Sequence, residues 1–570
     1  MKNIVFLFLC CFSVGTFAQG DVSNSEKYPT NYFRSPLDIP LVLSGTFAEL
    51  RTNHFHSGLD IKTQGVQGKN VFAAADGYVS RIKIAHWGYG KALYITHPNG
   101  YTTVYAHLKK FNKKIEDYIK KQQYKKESYE IQLFPSSTTL QVKKDEIVAF
   151  SGNSGGSGGP HLHFEIRDTK SEKPINPLFF GIEIEDSKKP RINTLIGYSL
   201  AENSHINKIA IPKQLNLISQ QNGDLKASKI TAFGKIGFGI NAYDQLDGAY
   251  NKNGLFSLEM LVNGKKVHDF KAASFSFSES KYINLLIDYE RNYTLKQRVQ
   301  KCFVEPKNKL SVYKNSVNNG IITIEDGLNY NVEIIAKDFK GNTQKITIPI
   351  IGKKDSIIVK PKIVTSPYAI TYSQFTKFKQ ENITVSFPAN AFYEDFFLNF
   401  NVKDSIAEVH EPSIPITKNY RLAFSTANID AAKKAKMYIA SINKNGYTQF
   451  VSSKKNETTI YALTKKLGKF KLETDFKKPK IELLNFKDKQ WVTNFNYLKV
   501  KISDADSGIK LYRGEIDGEW VLFEYEPKSN LLTYNLNDKN FTEAEHSLKL
   551  KVTDNVGNTT ILETTFFRKK

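Results

Sequence analysis

Gly159-Pro-His-Leu-His-Phe-Glu165 is the stretch from which the rest of the chain can be read. In an extended strand, residues two apart point to the same face. His161 and His163 therefore project to one side, while Leu162, Phe164 and Ile166 form the apolar side of a half-buried strand. Two adjacent imidazoles can both serve one metal ion, or one can hold the ion while the other moves protons.

Partners for such a site lie upstream. His56-Ser-Gly-Leu-Asp60 offers an imidazole and a carboxylate within reach of a common ion, and His107 closes the alternating segment Tyr101-Thr-Thr-Val-Tyr-Ala-His107. Of the eleven histidines, seven (His54, His56, His86, His97, His107, His161 and His163) fall between residues 54 and 163. A catalytic zinc takes three nitrogen or oxygen ligands and leaves a fourth position open. His54 has the strand parity of His56 and Asp60, so an unbroken strand would turn it toward the same cleft. His86, His97, His205, His268, His410 and His546 read as ordinary structural histidines.

These motifs, in this order, resemble the lysostaphin-type zinc endopeptidases (metallopeptidase family 23), which cut the peptide part of bacterial cell walls. The resemblance rests on His56-x-x-x-Asp60, Tyr105-Ala-His107-Leu and Gly158-Gly-Pro-His-Leu-His-Phe-Glu165, and spans residues 35–185. Val71-Phe-Ala-Ala-Ala-Asp-Gly-Tyr-Val79 and Tyr94-Ile-Thr-His-Pro-Asn-Gly100 look like the family's strands and turns. The resemblance implies an antiparallel β domain with one Zn2+ per chain on His56, Asp60 and His163, and peptidoglycan peptides as substrate. His107 and His161 would be the unliganded catalytic imidazoles. His161, two residues from a ligand, is read as the proton shuttle and His107 as the group that stabilises charge on the carbonyl oxygen; the reverse assignment stays open. Two positions depart from the pattern, Gly158 where relatives carry Thr and Asp145 where Gly is usual. No His-Glu-x-x-His helix and no Gly-x-Ser-x-Gly elbow offers a rival chemistry. A non-catalytic envelope scaffold or activator of wall hydrolases, and a zinc peptidase acting on proteins or peptides, are the alternative readings.

Residues 1–18 read as a signal peptide, with Lys2, an apolar run over 4–12 and Thr16-Phe-Ala18 before the cleavage point. The run is too short to span a membrane, which places the mature chain in the periplasm or cell envelope. Its removal takes Cys10 and Cys11 away and leaves Cys302, so no intramolecular disulfide is expected. The net charge of +23 favours anionic partners. No zinc finger, helix-turn-helix or ribonucleoprotein motif accompanies it, so nucleic acid is not expected as a partner.

At 570 residues the chain should divide into several domains. Two near-identical starts, Asp186-Ser-Lys-Lys-Pro190 and Asp475-Phe-Lys-Lys-Pro479, are matched by two near-identical ends, Asp338-Phe-Lys-Gly-Asn-Thr343 and Asp554-Asn-Val-Gly-Asn-Thr559. The Asp-x-x-Gly-Asn turns are hairpin chemistry. The expected architecture is mainly β: a metallopeptidase domain over 19–185, then β-sandwich modules over 186–352, 353–474 and 475–570, resembling immunoglobulin-like modules. These are the candidate surfaces for envelope protein partners. Asp504-Ala-Asp-Ser-Gly508 lacks the later Glu of a calcium loop and reads as a tight turn. Within the first domain an insert over 109–134 breaks the β pattern. Phe111, Ile115, Tyr118 and Ile119 recur at helical spacing, predicting a helix over 109–127 and a strand over 129–134. The helix is expected to cap the sheet, with a lid over the cleft as the sharper alternative.

Overall fold

The structure, a computed structural model, describes residues 28–362 and 364–569; the expected signal peptide with Cys10 and Cys11 lies outside them. Among the described residues no helix is long and apolar enough to cross a membrane. The N-terminal domain is built on an antiparallel sheet of β1 (Leu43–Gly45), β2 (Leu59–Lys62), β3 (Gly77–Ile84), β4 (Lys91–Thr96), β5 (Tyr101–Ala106), β6 (Ile131–Leu133) and β7 (His161–Asp168). Its spatial order is β1-β2-β7-β5-β4-β3-β6, which places the late strand β7 between the early strands β2 and β5. Register then decides the site. His163 lies opposite Asp60 on one side and opposite Ala106, the residue before His107, on the other. Leu162, Phe164 and Ile166 are fully buried, as their alternation requires.

The strand expected to run through 54–60 is interrupted. His54–Phe55 pairs with Leu50–Arg51 as a separate hairpin, and β2 begins only at Leu59. Gly58 lies in the break, where a Cβ would stand 2.2 Å from the Phe164 carbonyl oxygen. His54 is consequently exposed and bonded to the Thr52 carbonyl, so the shared parity with His56 and Asp60 does not hold. Asp145 takes φ 71°, the left-handed conformation that favours glycine in such a turn.

The insert forms α1 (Lys113–Lys126), shorter at its N-terminal end than the periodicity predicts because Asn112 caps it by accepting from the Ile115 amide. Ile115 and Ile119 are fully buried in the domain core, while Phe111 belongs to a short strand. The helix's outer side carries the C-terminal segment. Tyr124 meets Trp520 edge-on at 5.2 Å, Lys120 pairs with Asp538 at 2.7 Å, and Glu127 pairs with Arg513 at 2.6 Å. The insert thus caps the core on one side and docks a distant segment on the other.

Residues 191–352 form a twelve-stranded system whose two halves share β9 (Ile230–Tyr243). Residues 230–232 of β9 pair in parallel with the strand Thr343–Gly352, and residues 236–243 pair with β8 (Arg191–Ser199). Gly234 between them has φ 74°, and a bend of this kind lets one strand pass from sheet to sheet. One apolar cluster runs unbroken from Phe33 to Ile350, so the N-terminal domain and this module share a core across residue 186. Residues 370–472 pack two five-stranded antiparallel sheets around their own core, and residues 481–566 a four- and a five-stranded sheet around another. Cys302 is buried and free.

Two buried histidines outside the cluster set an acid limit to stability. His97 contacts the Asp76 carbonyl and Thr103 Oγ1, each at 2.8 Å, and burial pushes it down to about 4. His268 has neither ring nitrogen hydrogen-bonded and is likewise pushed down to about 4 by burial. Both fold neutral, whereas an unfolded histidine titrates near 6.5. Their contribution is therefore complete above about pH 6.5 and is lost as pH falls toward 4, by roughly 2–3 kcal/mol each. Denaturant unfolding at pH 7 and pH 5 should show this loss, and His268→Leu should reduce it; equal pH sensitivity in that variant would refute the assignment.

Candidate metal centre

Three side chains converge: Asp60 from β2, His163 from the neighbouring β7, and His56 from the break that precedes β2. Asp60 Oδ1 stands 2.9 Å from His56 Nε2 and 2.8 Å from His163 Nδ1, and those two ring nitrogens are 3.0 Å apart. All three residues are buried. Ligands about 2.0–2.1 Å from a tetrahedral zinc stand roughly 3.3 Å apart, so this triangle is slightly contracted but has the right shape. Two nitrogens and one carboxylate oxygen are also the donor set of a catalytic rather than a structural zinc.

Each ligand is oriented from behind. His56 Nδ1 donates to the Thr46 carbonyl at 2.8 Å, which leaves the Nε2 lone pair facing the triangle. His163 Nε2 contacts Glu165 Oε1 at 2.7 Å, directing Nδ1 inward. Glu165 is fully buried, accepts from Ser57 Oγ at 2.6 Å and from the Tyr89 hydroxyl, and is neutralised by Arg167 at 2.6 Å. The free oxygen of Asp60 is held by Arg51 at 2.5 Å. Burial opposes ionisation of Asp60, yet the three surrounding imidazoles hold its carboxyl well below the usual range. Burial also lowers His56 and would lower His163, but Asp60 and Glu165 lift His163 to about 9.

The other two imidazoles stand beside the triangle. The His107 and His161 rings are 4.8 Å apart, and His161 Nε2 lies 3.4 Å from Asp60 Oδ1. His107 Nδ1 donates to the Ser154 carbonyl and His161 Nδ1 to the Gly159 carbonyl, both at 2.8 Å. A carbonyl can only accept, so in the neutral rings both Nε2 atoms carry the lone pair. Burial, then the charges of His163 and His161, pushes His107 down to about 3. Lys528, from the far end of the chain, donates to the carbonyls of Asn153 and Ser157 in this glycine-rich loop, the latter at 3.2 Å.

The structure brings together all five predicted residues, His56, Asp60, His107, His161 and His163. Sequence reasoning missed Glu165, although it shares strand parity with His161 and His163. It also missed Arg51, Ser57 and Tyr89, whose placement depends on long-range pairing. Glu165→Gln should weaken metal retention about 10–100-fold while leaving the fold intact, measured by competition with a graded chelator. Unchanged affinity would mean that the remaining contacts orient His163.

A cradle of two imidazoles and one carboxylate, with two spare imidazoles on an antiparallel sheet, defines a metallopeptidase class. Residues 54–124 match the family described as Peptidase family M23, and the chain contains a domain of this lysostaphin-type family. Residues 367–475 match the Zu5-like domain, overlapping the segment 353–474 expected to form the second sandwich module. The chain is 34% identical over 129 residues to the DD-carboxypeptidase/endopeptidase Mpg of Neisseria meningitidis, covering 23% of each protein. It is 34% identical over 123 residues to an uncharacterized metalloprotease of Haemophilus influenzae, covering 22% of this chain and 20% of that one. The chain thus spans less than a quarter of the length of these curated relatives. Among solved structures, the catalytic domain of lysostaphin from Staphylococcus simulans aligns over 27% of this chain and 93% of its own, at 21% identity and a TM-score of 0.17.

Proposed function

We propose that this protein is an exported, zinc-dependent endopeptidase that hydrolyses cross-link or stem peptides of bacterial peptidoglycan. The observation that carries the reading is the convergence of His56 Nε2, Asp60 Oδ1 and His163 Nδ1 within 3.0 Å of one another, beside two further imidazoles. The peptidoglycan substrate is supported by the family and by the printed activity of the Neisseria relative. Export is supported by the sequence of residues 1–18.

His56, Asp60 and His163 would hold the zinc. Bound there, it would supply Lewis acidity toward an attacking water and the scissile carbonyl. His161, whose Nε2 carries the lone pair in the neutral ring, accepts the proton of that water and returns it to the leaving amine. For His107 we assign a role other than the charge stabilisation read from the sequence. As a neutral ring bonded to Ser154 it accepts at Nε2, so it holds a substrate N–H or a second proton rather than donating to the carbonyl oxygen. Arg51 and Glu165 keep Asp60 and His163 in their ligand orientations.

The test is digestion of purified sacculi by the mature protein, with chelator and His163→Ala as controls and released fragments identified by mass. Zinc-dependent release of peptide fragments establishes the activity and identifies the bond. A folded, zinc-loaded protein that releases nothing from sacculi but cleaves protein substrates would replace the proposed substrate class. No cleavage of either substrate would favour the scaffold reading.

A further inference from the structure

The paired starts and ends of the first and last β modules do more than mark a repeat. They assemble the same three carboxylates twice. Asp186 lies in the first start motif, Asp338 in its end motif, and Asp244 directly follows the strand Ile230–Tyr243. In the last module Asp475 and Asp554 occupy the same two motifs, and Asp504 directly follows the strand Tyr497–Ser503. In each triad one carboxylate oxygen from every member lies within 4.8 Å of the others.

The cradles match bond for bond. Asn342 donates from its backbone and side chain to the two oxygens of Asp338, at 2.9 and 2.8 Å, and from the same side chain to the Asp186 carbonyl at 3.1 Å. Asn558 does the same to Asp554, at 2.8 and 2.7 Å, and to the Asp475 carbonyl at 3.0 Å. Lys188 and Lys477 donate only their backbone amides, to Asp186 and Asp475, at 3.2 and 2.9 Å. Their ammonium groups are turned to other acids, Asp247 and Asp506. Among the described residues no lysine, arginine or histidine forms an ion pair with any of the six carboxylates.

Buried like charges without a counter-charge are unfavourable, so a bound cation would stabilise each triad. A buried oxygen with no hydrogen-bond partner belongs to a member of the first triad and to a residue bonded to the second. Asp244 is 3% exposed and its Oδ1 has no donor. Ser507, whose amide donates to Asp475 Oδ2 at 3.1 Å, is 1% exposed and its Oγ has no partner.

We propose that the first and last β modules each carry a site for a hard divalent cation of the calcium class, formed by Asp186, Asp244 and Asp338 in one and by Asp475, Asp504 and Asp554 in the other. All-oxygen donors suit calcium better than they suit zinc, which takes nitrogen ligands at the N-terminal centre. Both triads sit where a module begins. An ion would tie the entering chain to the ends of two strands and so fix the module's angle to what precedes it. The tight turn at 504–508 survives this assignment, since Gly508 N donates to Asp504 Oδ1 at 2.7 Å; the turn presents one carboxylate and the other two arrive from distant sequence.

The experiment is calorimetric titration of the full mature chain, freed of calcium and with its zinc centre loaded, using Ca2+ and separately Mg2+. Two Ca2+ per chain are expected, falling to one in Asp244→Asn, one in Asp504→Asn and none in the double variant. Thermal melts supply a second readout. Calcium should raise the melting temperature of the parent by several degrees and leave the double variant unmoved. Without calcium, both single variants should melt at or above the parent, because each substitution removes one of three mutually repelling charges. Magnesium bound with the same stoichiometry, and lost in the same variants, would support the sites and assign them the smaller ion. A folded parent that binds neither ion at millimolar concentration, or a double variant with unchanged stoichiometry, overturns the proposal.

Discussion

Replacing His163 with alanine is expected to remove both metal and activity from a protein that still folds. The substitution deletes one corner of the triangle and leaves only His56 Nε2 and Asp60 Oδ1, which stand 2.9 Å apart. Two ligands do not make the three-ligand site that catalytic zinc uses. The activity loss should exceed the about 10²–10³-fold that removal of a single electrostatic contact costs. Folding should survive, because Glu165 keeps Arg167, Ser57 and Tyr89 as partners. The destabilisation should stay near the about 1–3 kcal/mol of one lost buried hydrogen-bonding partner. Metal analysis and sacculus digestion read the two effects side by side. Stoichiometric zinc in a folded His163→Ala protein would remove His163 from the ligand set.

His161→Ala should separate binding from chemistry. His161 Nε2 lies beside Asp60, but the ring is held by the Gly159 carbonyl and by Ser157 Oγ, at 2.8 and 3.1 Å, outside the triangle. The variant should therefore retain one zinc while kcat falls about 10²–10⁴-fold, the range for a lost general base. KM should change little, since the deleted group acts on the proton and not on the bound peptide. Loss of zinc would make His161 a ligand. Zinc retained with kcat reduced only severalfold would pass the shuttle role to His107, whose Nε2 is also free to accept.

Much of the site was legible in local spacing. His161 and His163 were placed on one face by strand parity alone, and β7 confirms the alternation through its buried Leu162, Phe164 and Ile166. The helical insert was readable from Ile115 and Ile119, both of which enter the core. Parity failed at His54, because Gly58 and the hairpin at Leu50–Arg51 break the strand that the argument assumed. A period of two holds only while the backbone stays extended.

By itself, the sequence determined which side chains are the candidates for the chemistry, the mainly β character of the chain and the matched motifs that open and close residues 186–352 and 475–570. These depend on residue type and short-range periodicity, which the covalent chain expresses directly. Tertiary structure alone decided that β7 inserts between β2 and β5, bringing residues 56–60, 107 and 161–163 to one point. It also placed Arg51 on Asp60, Lys528 on the loop that carries the His161 contacts, and one continuous core across residue 186. Such contacts join residues separated by tens to hundreds of positions. They arise from sheet register and the burial of apolar faces, and no local pattern encodes which distant strand will lie alongside.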